Sequence, residues 1–339
     1  MNWLYYLLEA NLYLIIFYGF YRLLLHKETF YTLNRYYLIL STLISFIIPF
    51  FQLGFLSKQI VVTDTTFHQQ VQQDVSFFRT ENMLLFLYAI VAGIFIAKII
   101  WGFRHIAGLL KKPNKRHQNG ITIIELANTG AAFSFFNMLF IDPDLPQKTT
   151  ILKHEMVHIQ QKHSFDILFF ELIRSLNWFN PVTHYLKTDI KLLHEYLADE
   201  ETTSKGIEKY EYALFLIQNS YGDQKLKLTN QIFNSSILKR RISMLNQRKS
   251  AKWARLRLLM VIPVVGGMLC TSTMAFTKDY GVIDLYPKKE SVILIVPQDT
   301  TKKKKLQEVR ILPVQKTKKN VPPIKPSTVT RVKINGAPK

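Results

Sequence analysis

Four long apolar runs constrain this chain more than any other feature. A helix that crosses a bilayer needs about 20 consecutive, mostly apolar residues. Runs of that length occupy about Leu4 to Leu25, Tyr36 to Phe55, Met83 to Phe103 and Leu256 to Phe276. Hydrophobic residues make up 48% of the 339 positions, and the excess is concentrated in these runs. The expectation is an α-helical membrane protein with four transmembrane helices. The first run lacks a basic start and a small-residue cleavage site, and a second run follows closely, so it does not read as a cleavable signal.

The formal net charge is +20. Lys and Arg gather beside the apolar runs and in the C-terminal tail, a placement that suits topology signals and a solvated arm. No recognised DNA-binding motif accompanies them, so the lipid bilayer and no direct nucleic acid is the expected partner of this charge. Cys270 is the only cysteine and lies in the fourth run, which excludes a disulfide within the chain and suits a packing role. Glu9 and Asn11 interrupt the first run; Glu9 is near its outer end and is expected at the interface.

Basic residues in short loops mark the inner side of a membrane. Arg104, Lys111, Lys112, Lys115 and Arg116 follow the third run, and Arg248, Lys249, Lys252, Arg255 and Arg257 lead into the fourth. The N-terminus and C-terminus are therefore expected outside. The organisation reads as three spans over 1–103, a cytoplasmic domain over 104–255, a fourth span over 256–276 and a short extracytoplasmic Lys- and Pro-rich tail over 277–339. The Lys302 to Lys305 run would lie outside, and long tails translocate largely regardless of charge. Val292 to Val296 and Val309 to Val314 read as strands in that tail.

Within 104–255, Ile121 to Leu126 and Ala132 to Ile141 read as strands. Helical patterns follow at about Lys148 to Lys162, Phe165 to Trp178, Pro181 to Thr203 and Lys209 to Ser220, with a basic helix near Ser235 to Arg248. Strands followed by helices imply α+β.

The chemistry sits in His154-Glu155-Met156-Val157-His158. Two histidines at i and i+4 share one helical face and reach one ion. Zinc takes such nitrogens, and Glu155 then serves as general base on a water whose pKa the metal lowers to about 7. Three positions compete for the third ligand. The metzincin offset falls on Ser164, with Gln161 where Gly is required. His163 lies about 180° round the helix from His154, so it faces away unless the helix breaks first. Glu195, on a later helix, completes the His-His-Glu set of thermolysin-type sites and is the preferred ligand. Asp199, four residues on, shares the face of Glu195 and suits a hydrogen bond from a ligand histidine. The plainer reading leaves Glu195 and Asp199 on an acidic face with Glu200 and Glu201.

Other polar residues receive structural readings. His194 points about 100° away from Glu195 and reads as surface or as support for the site. Asp166 reads as a helix N-cap, with support for the site from behind as the weaker alternative, Glu171 and Arg174 as a local pair, and His184 as structural. The strand before the zinc helix, if at an edge, can bind an extended peptide. Tyr185, Tyr196, Tyr210 and Tyr212 are all open as the stabiliser of a tetrahedral oxyanion.

Together, His154-Glu155-Met156-Val157-His158, the stretch Asn177-Trp178-Phe179-Asn180-Pro181 running into Glu195-Tyr196-Leu197-Ala198-Asp199, and three spans before this domain with one after resemble the BlaR/MecR-type antirepressor metallopeptidases. The resemblance covers roughly residues 1 to 276. It implies a gluzincin-like cytoplasmic domain in a bacterial inner membrane protein, His154, His158 and Glu195 as zinc ligands, and Glu155 as base. It also implies a role in signal transduction through cleavage of a cytoplasmic repressor. The chain departs from the best-known members in having no penicillin-binding sensor and no Ser-x-x-Lys motif with its partners after the fourth span, so β-lactam sensing is not expected. A non-enzymatic receptor or scaffold with a structural zinc, and a constitutive quality-control peptidase, are the competing functions.

Overall fold

The computed structural model describes residues 2–53, 80–111, 115–118, 120–127, 129–204, 206–221, 228–275 and 283–285. The expected tail strands, the Lys302 to Lys305 run and most of the loop after the second span lie outside the described residues. Those that are described belong to one compact unit, Met1–Lys289.

Among the described residues, four helical stretches are long and apolar enough to cross a membrane: Trp3–Leu25, Tyr31–Phe50, Asn82–Leu109 and Lys252–Met274. The first is α1 (Asn2–Phe20) with a π-helical turn, Tyr21–Leu25. The second, α2 (Tyr31–Ile47), starts and ends earlier than expected. Its first turns carry Asn34 and Arg35, which read as loop residues in sequence but turn into the protein. Asn34 donates to the carbonyl of Leu25 at 3.0 Å, and Arg35 donates to Asp166 and to the carbonyl of Gln161, so the donors of both side chains are met inside the protein. Pro49 lies in the closing 3-10 turn, and the chain becomes extended at β1 (Phe51–Gln52). The third stretch is α3 (Thr80–Leu109), which runs past the expected end at Phe103.

A four-stranded sheet follows, built from β2 (Lys115–Gln118), β3 (Ile121–Glu125), β4 (Ala132–Phe135) and β5 (Met138–Ile141) in the order β2-β3-β5-β4. The stretch Ala132 to Ile141, expected as one strand, is a hairpin. Phe136 takes a φ of 49° in the turn, and its N–H is held by Ser164 Oγ at 2.8 Å. The turn falls at Phe136 and Asn137, where Asn137 is the polar break in an otherwise largely apolar run, and a tertiary contact pins it in place. β3 and β5 are parallel, with Ile124 opposite Phe140, while β4 is antiparallel to β5 and lies at the sheet edge.

Helices α4 (Lys148–Gln160), α5 (His163–Leu176), α6 (Pro181–Ser204), α7 (Lys209–Tyr221) and α8 (Leu228–Leu245) come next. Pro181 suits the first turn of α6, where no N–H partner is needed, and Asn180 Oδ1 accepts from the N–H of Val182 at 2.9 Å. After a 3-10 segment, Lys252–Met260, comes α9 (Val261–Ala275). A short strand, β6 (Ile283–Asp284), pairs in parallel with β1.

The first two apolar helices share one core with α5 and α6. Leu14, Tyr21, Tyr37 and Leu38 from the first two spans join Phe170, Leu186, Ile190 and Leu193 from α5 and α6. Polar contacts follow the same seam. Asn11, midway along the first span, donates to Asn177 Oδ1 at 2.8 Å and accepts from Asn180 Nδ2 at 2.8 Å. The turn between α5 and α6 therefore sits level with the middle of that span. Tyr18 donates to Asp189 of α6 at 2.9 Å. Glu9, expected at the interface, is fully buried. Its Oε1 accepts from Tyr13 at 2.7 Å and also from Ser272 of α9, so it joins two spans.

Candidate metal centre

α4 places His154 and His158 one turn apart, and α6 crosses it to bring Glu195 to the same point. The Nε2 atoms of the two histidines are 3.2 Å apart. Glu195 Oε2 is 3.5 Å from His154 Nε2, and Glu195 Oε1 is 3.8 Å from His158 Nε2. Zinc–ligand bonds of about 2.0–2.1 Å in a tetrahedron imply edges of about 3.3 Å. The separations, measured to the two oxygens of Glu195, lie near that edge length, so His154, His158 and Glu195 could hold a small divalent cation.

Each histidine has its far nitrogen engaged. Tyr212 of α7 donates its hydroxyl to Asp199 Oδ1 at 2.7 Å and lies 2.9 Å from His154 Nδ1. The tyrosine oxygen accepts from Nδ1–H, which leaves Nε2 as the lone-pair donor toward the ion. Asp199 thus acts on His154 mainly through Tyr212; its own oxygen is 3.4 Å from Nδ1. Arg241 of α8 grips Asp199 with two bonds, Nε to Oδ2 at 2.9 Å and Nη2 to Oδ1 at 2.6 Å, and reaches Glu195 Oε2 from Nη1 at 2.9 Å.

On the other side, His158 Nδ1 is 2.7 Å from His163 Nδ1. The condition set by helix periodicity is met: α4 ends at Gln160, Lys162 takes a left-handed φ of 56°, and α5 restarts at His163. The break brings His163 behind His158 rather than into the ligand triangle. The His163 ring stacks on that of His194 with centroids 4.0 Å apart, and His194 Nε2 bonds Asp166 Oδ2 at 2.8 Å. His194 is therefore buried support and not surface. Asp166 is not an N-cap either. Lys162 holds that position, and the buried Asp166 carboxylate instead accepts from Arg35 Nε of α2 at 2.6 Å. Glu171 and Arg174 pair at 2.8 Å as expected, and His184 is exposed.

Glu155 points from α4 toward the edge strand, where Ser134 donates to its Oε2 at 2.7 Å. Burial raises the pKa of Glu155 against the pull of His154 and the Ser134 hydrogen bond. Burial also disfavours charge on His158, and with His154 nearby its pKa is lowered to about 3. For His154, burial is outweighed by its hydrogen bond and attraction to Glu195, so its pKa is raised. Burial opposes ionisation of Glu195, but the Arg241 guanidinium and the two imidazoles hold its carboxyl well below the usual range.

Sequence reading missed Arg241, Ser134 and Arg35. Arg241 left a trace: it lies between buried Leu238 and buried Met244 and Leu245, on the apolar side of a basic helix. Among the four tyrosines, Tyr212 is committed to the Asp199–His154 bridge. Tyr196 packs on Tyr31, Tyr185 stacks on Tyr18, and Tyr210 is exposed.

No curated protein matches the chain. Residues 145–245 match the family model described as BlaR1 peptidase M56. That segment contains the His-His-Glu triangle, Glu155 and the Tyr212, Asp199 and Arg241 network around it, so over residues 145–245 the chain is similar to the BlaR1 M56 peptidases, and its described residues include four apolar helices long enough to span a membrane.

Proposed function

We propose that this chain is a membrane-embedded zinc endopeptidase of a signal-transduction system, cleaving a cytoplasmic protein of the repressor class. The observation that carries the reading is the open triangle of His154, His158 and Glu195 with Glu155 beside it on the same helix. Three protein ligands leave room for water, as in catalytic zinc sites, whereas structural sites are closed by four. A zinc ion held there supplies Lewis acidity, which polarises the scissile carbonyl and makes water a nucleophile at neutral pH.

The chain's own residues supply the rest. Glu155 takes the proton from water as it attacks and delivers it to the leaving amine. Ser134 holds the carboxylate that does this. The free side of β4 offers backbone groups to an extended substrate, which would add to the sheet as a further strand and pass Glu155. Tyr212 and His163 keep the ligand imidazoles oriented. Basic loops favour an orientation with the peptidase helices on the cytoplasmic side and both termini outside.

The test compares new protein N-termini in cells carrying the wild-type chain with those in cells carrying Glu155→Gln, with zinc measured in both purified proteins. Equal zinc and loss of a defined set of cytoplasmic fragments in the variant are expected. Fragments that persist unchanged with Glu155→Gln would remove the hydrolytic assignment.

A further inference from the structure

A groove of about 1000 Å³ separates α2 from the 3-10 segment and α9 of the fourth span. It is larger than a packing defect and at the upper end of small-molecule sites, which run to about 1,000 Å³. Its two walls run in the same direction. One end is formed by Phe30 and Tyr31 on one side and Lys249, Lys252 and Arg255 on the other; the far end is formed by Leu40, Ile44 and Ile262. From Tyr31 to Ile44 the helix rises about 20 Å, close to the hydrocarbon depth of one leaflet, about 15 Å, plus its interface.

The charge at the polar end is unbalanced. Lys249 pairs with Glu200 and lies 6.0 Å from the Tyr31 ring centre. The Arg255 guanidinium rests over the Phe30 ring at 4.6 Å. Among the described residues, no carboxylate pairs with Lys252 or Arg255. The apolar end is open: Leu40, Leu259 and Ile262 are each more than half exposed. A cationic mouth leading into an apolar trough of one-leaflet length has the layout of an anionic phospholipid.

We infer that this groove binds one anionic phospholipid of the leaflet on the peptidase side, its phosphate at Lys252 and Arg255 and an acyl chain against Leu40, Ile44 and Ile262. The inference rests on α2 and α9 crossing a membrane and not on the peptidase reaction. The lipid site adjoins α6, because Lys249 is held by Glu200, which directly follows Asp199, and because Tyr31 packs on Tyr196, which directly follows Glu195. A phosphate that draws Lys249 from Glu200 would act on the helix that carries a metal-site carboxylate.

The experiment places the full-length chain in phosphatidylcholine vesicles with trace spin-labelled phosphatidylglycerol or spin-labelled phosphatidylcholine and measures the immobilised fraction. About tenfold preference for phosphatidylglycerol is expected, since each basic residue near the surface favours anionic lipid severalfold. Lys252→Gln with Arg255→Gln should reduce it to about twofold or less. Ile262→Trp, at a position that tolerates bulk because it is exposed, should fill the trough and lower immobilised phosphatidylglycerol with every charge retained. Leu40→Trp provides the same test from the opposite wall if the first variant folds poorly. Equal immobilisation of the two lipids by the wild type would overturn the proposal. So would a preference that survives both trough-filling variants, which would assign it to the general surface field. A change of oligomeric state on filling, with lipid retention unchanged, would assign the groove to a second copy of the chain.

Discussion

Arg35 in the second span donates from Nε to Oδ2 of Asp166 at 2.6 Å, and both side chains are about nine-tenths buried. Asp166 passes the contact to His194, whose ring stacks on His163 behind His158. A membrane helix thus supplies the charge that allows a carboxylate to sit beneath the metal triangle. Removing one partner of a buried pair strands the other, at about 3–5 kcal/mol. Arg35→Met should lower stability by about that much, and Arg35→Met with Asp166→Asn by clearly less than the sum, which a double-mutant cycle of thermal unfolding would measure. The contribution also has a pH signature. Burial opposes ionisation of Asp166, but bonds from His194 and Arg35 outweigh it and hold its pKa below the ordinary value. Its stabilisation is complete above the unfolded carboxylate value of about 4 and is lost as pH falls through the lower folded value.

Tyr212 links Asp199 to His154 through one hydroxyl. Tyr212→Phe keeps the ring and its packing but leaves Nδ1 of His154 without that acceptor. Zinc affinity should fall by about 10- to 100-fold, the usual effect of removing a hydrogen bond that orients a metal-binding histidine. Competition against a chelator of known affinity reads this directly, and an unchanged affinity would show that the bridge has no part in metal binding.

Ser134 stabilises the charged form of Glu155, and burial raises the pKa of that carboxyl. Loss of the hydroxyl in Ser134→Ala should raise it further. The acid limb of the cleavage profile, where the base becomes protonated, should then move to higher pH by about half to one unit, the equivalent of one hydrogen bond.

Metal uptake should be proton-coupled. Without metal, His154 is held above its ordinary pKa by Glu195, whereas His158 is lowered to about 3 and stays neutral. The incoming ion must displace the proton from the fraction of His154 that carries one, a fraction that grows as pH falls, so affinity should rise with pH and fall on acidification. Calorimetric titration in two buffers of different ionisation enthalpy should give up to one proton released. Glu195→Gln, which removes the charge that retains that proton, should reduce the release.

The four apolar stretches, the paired histidines with their glutamate, and the Glu195-to-Asp199 spacing were legible because each follows from local rules. Hydrocarbon thickness sets the length of a span, and helical periodicity places residues i and i+4 on one face. What lay beyond those rules was which distant side chains meet. Tyr212, Arg241, Ser134 and Arg35 come from α7, α8, β4 and α2, and only the packing of these elements against α4 and α6 brings them to the site. The same holds for His163, whose placement depends on a left-handed residue, Lys162, that the amino-acid pattern does not announce. Asp166 and Glu9 read as a cap and an interfacial group because sequence shows a charge but not its partner. Burial of those carboxylates is tolerable only where folding supplies Arg35 and His194 to one and Tyr13 and Ser272 to the other.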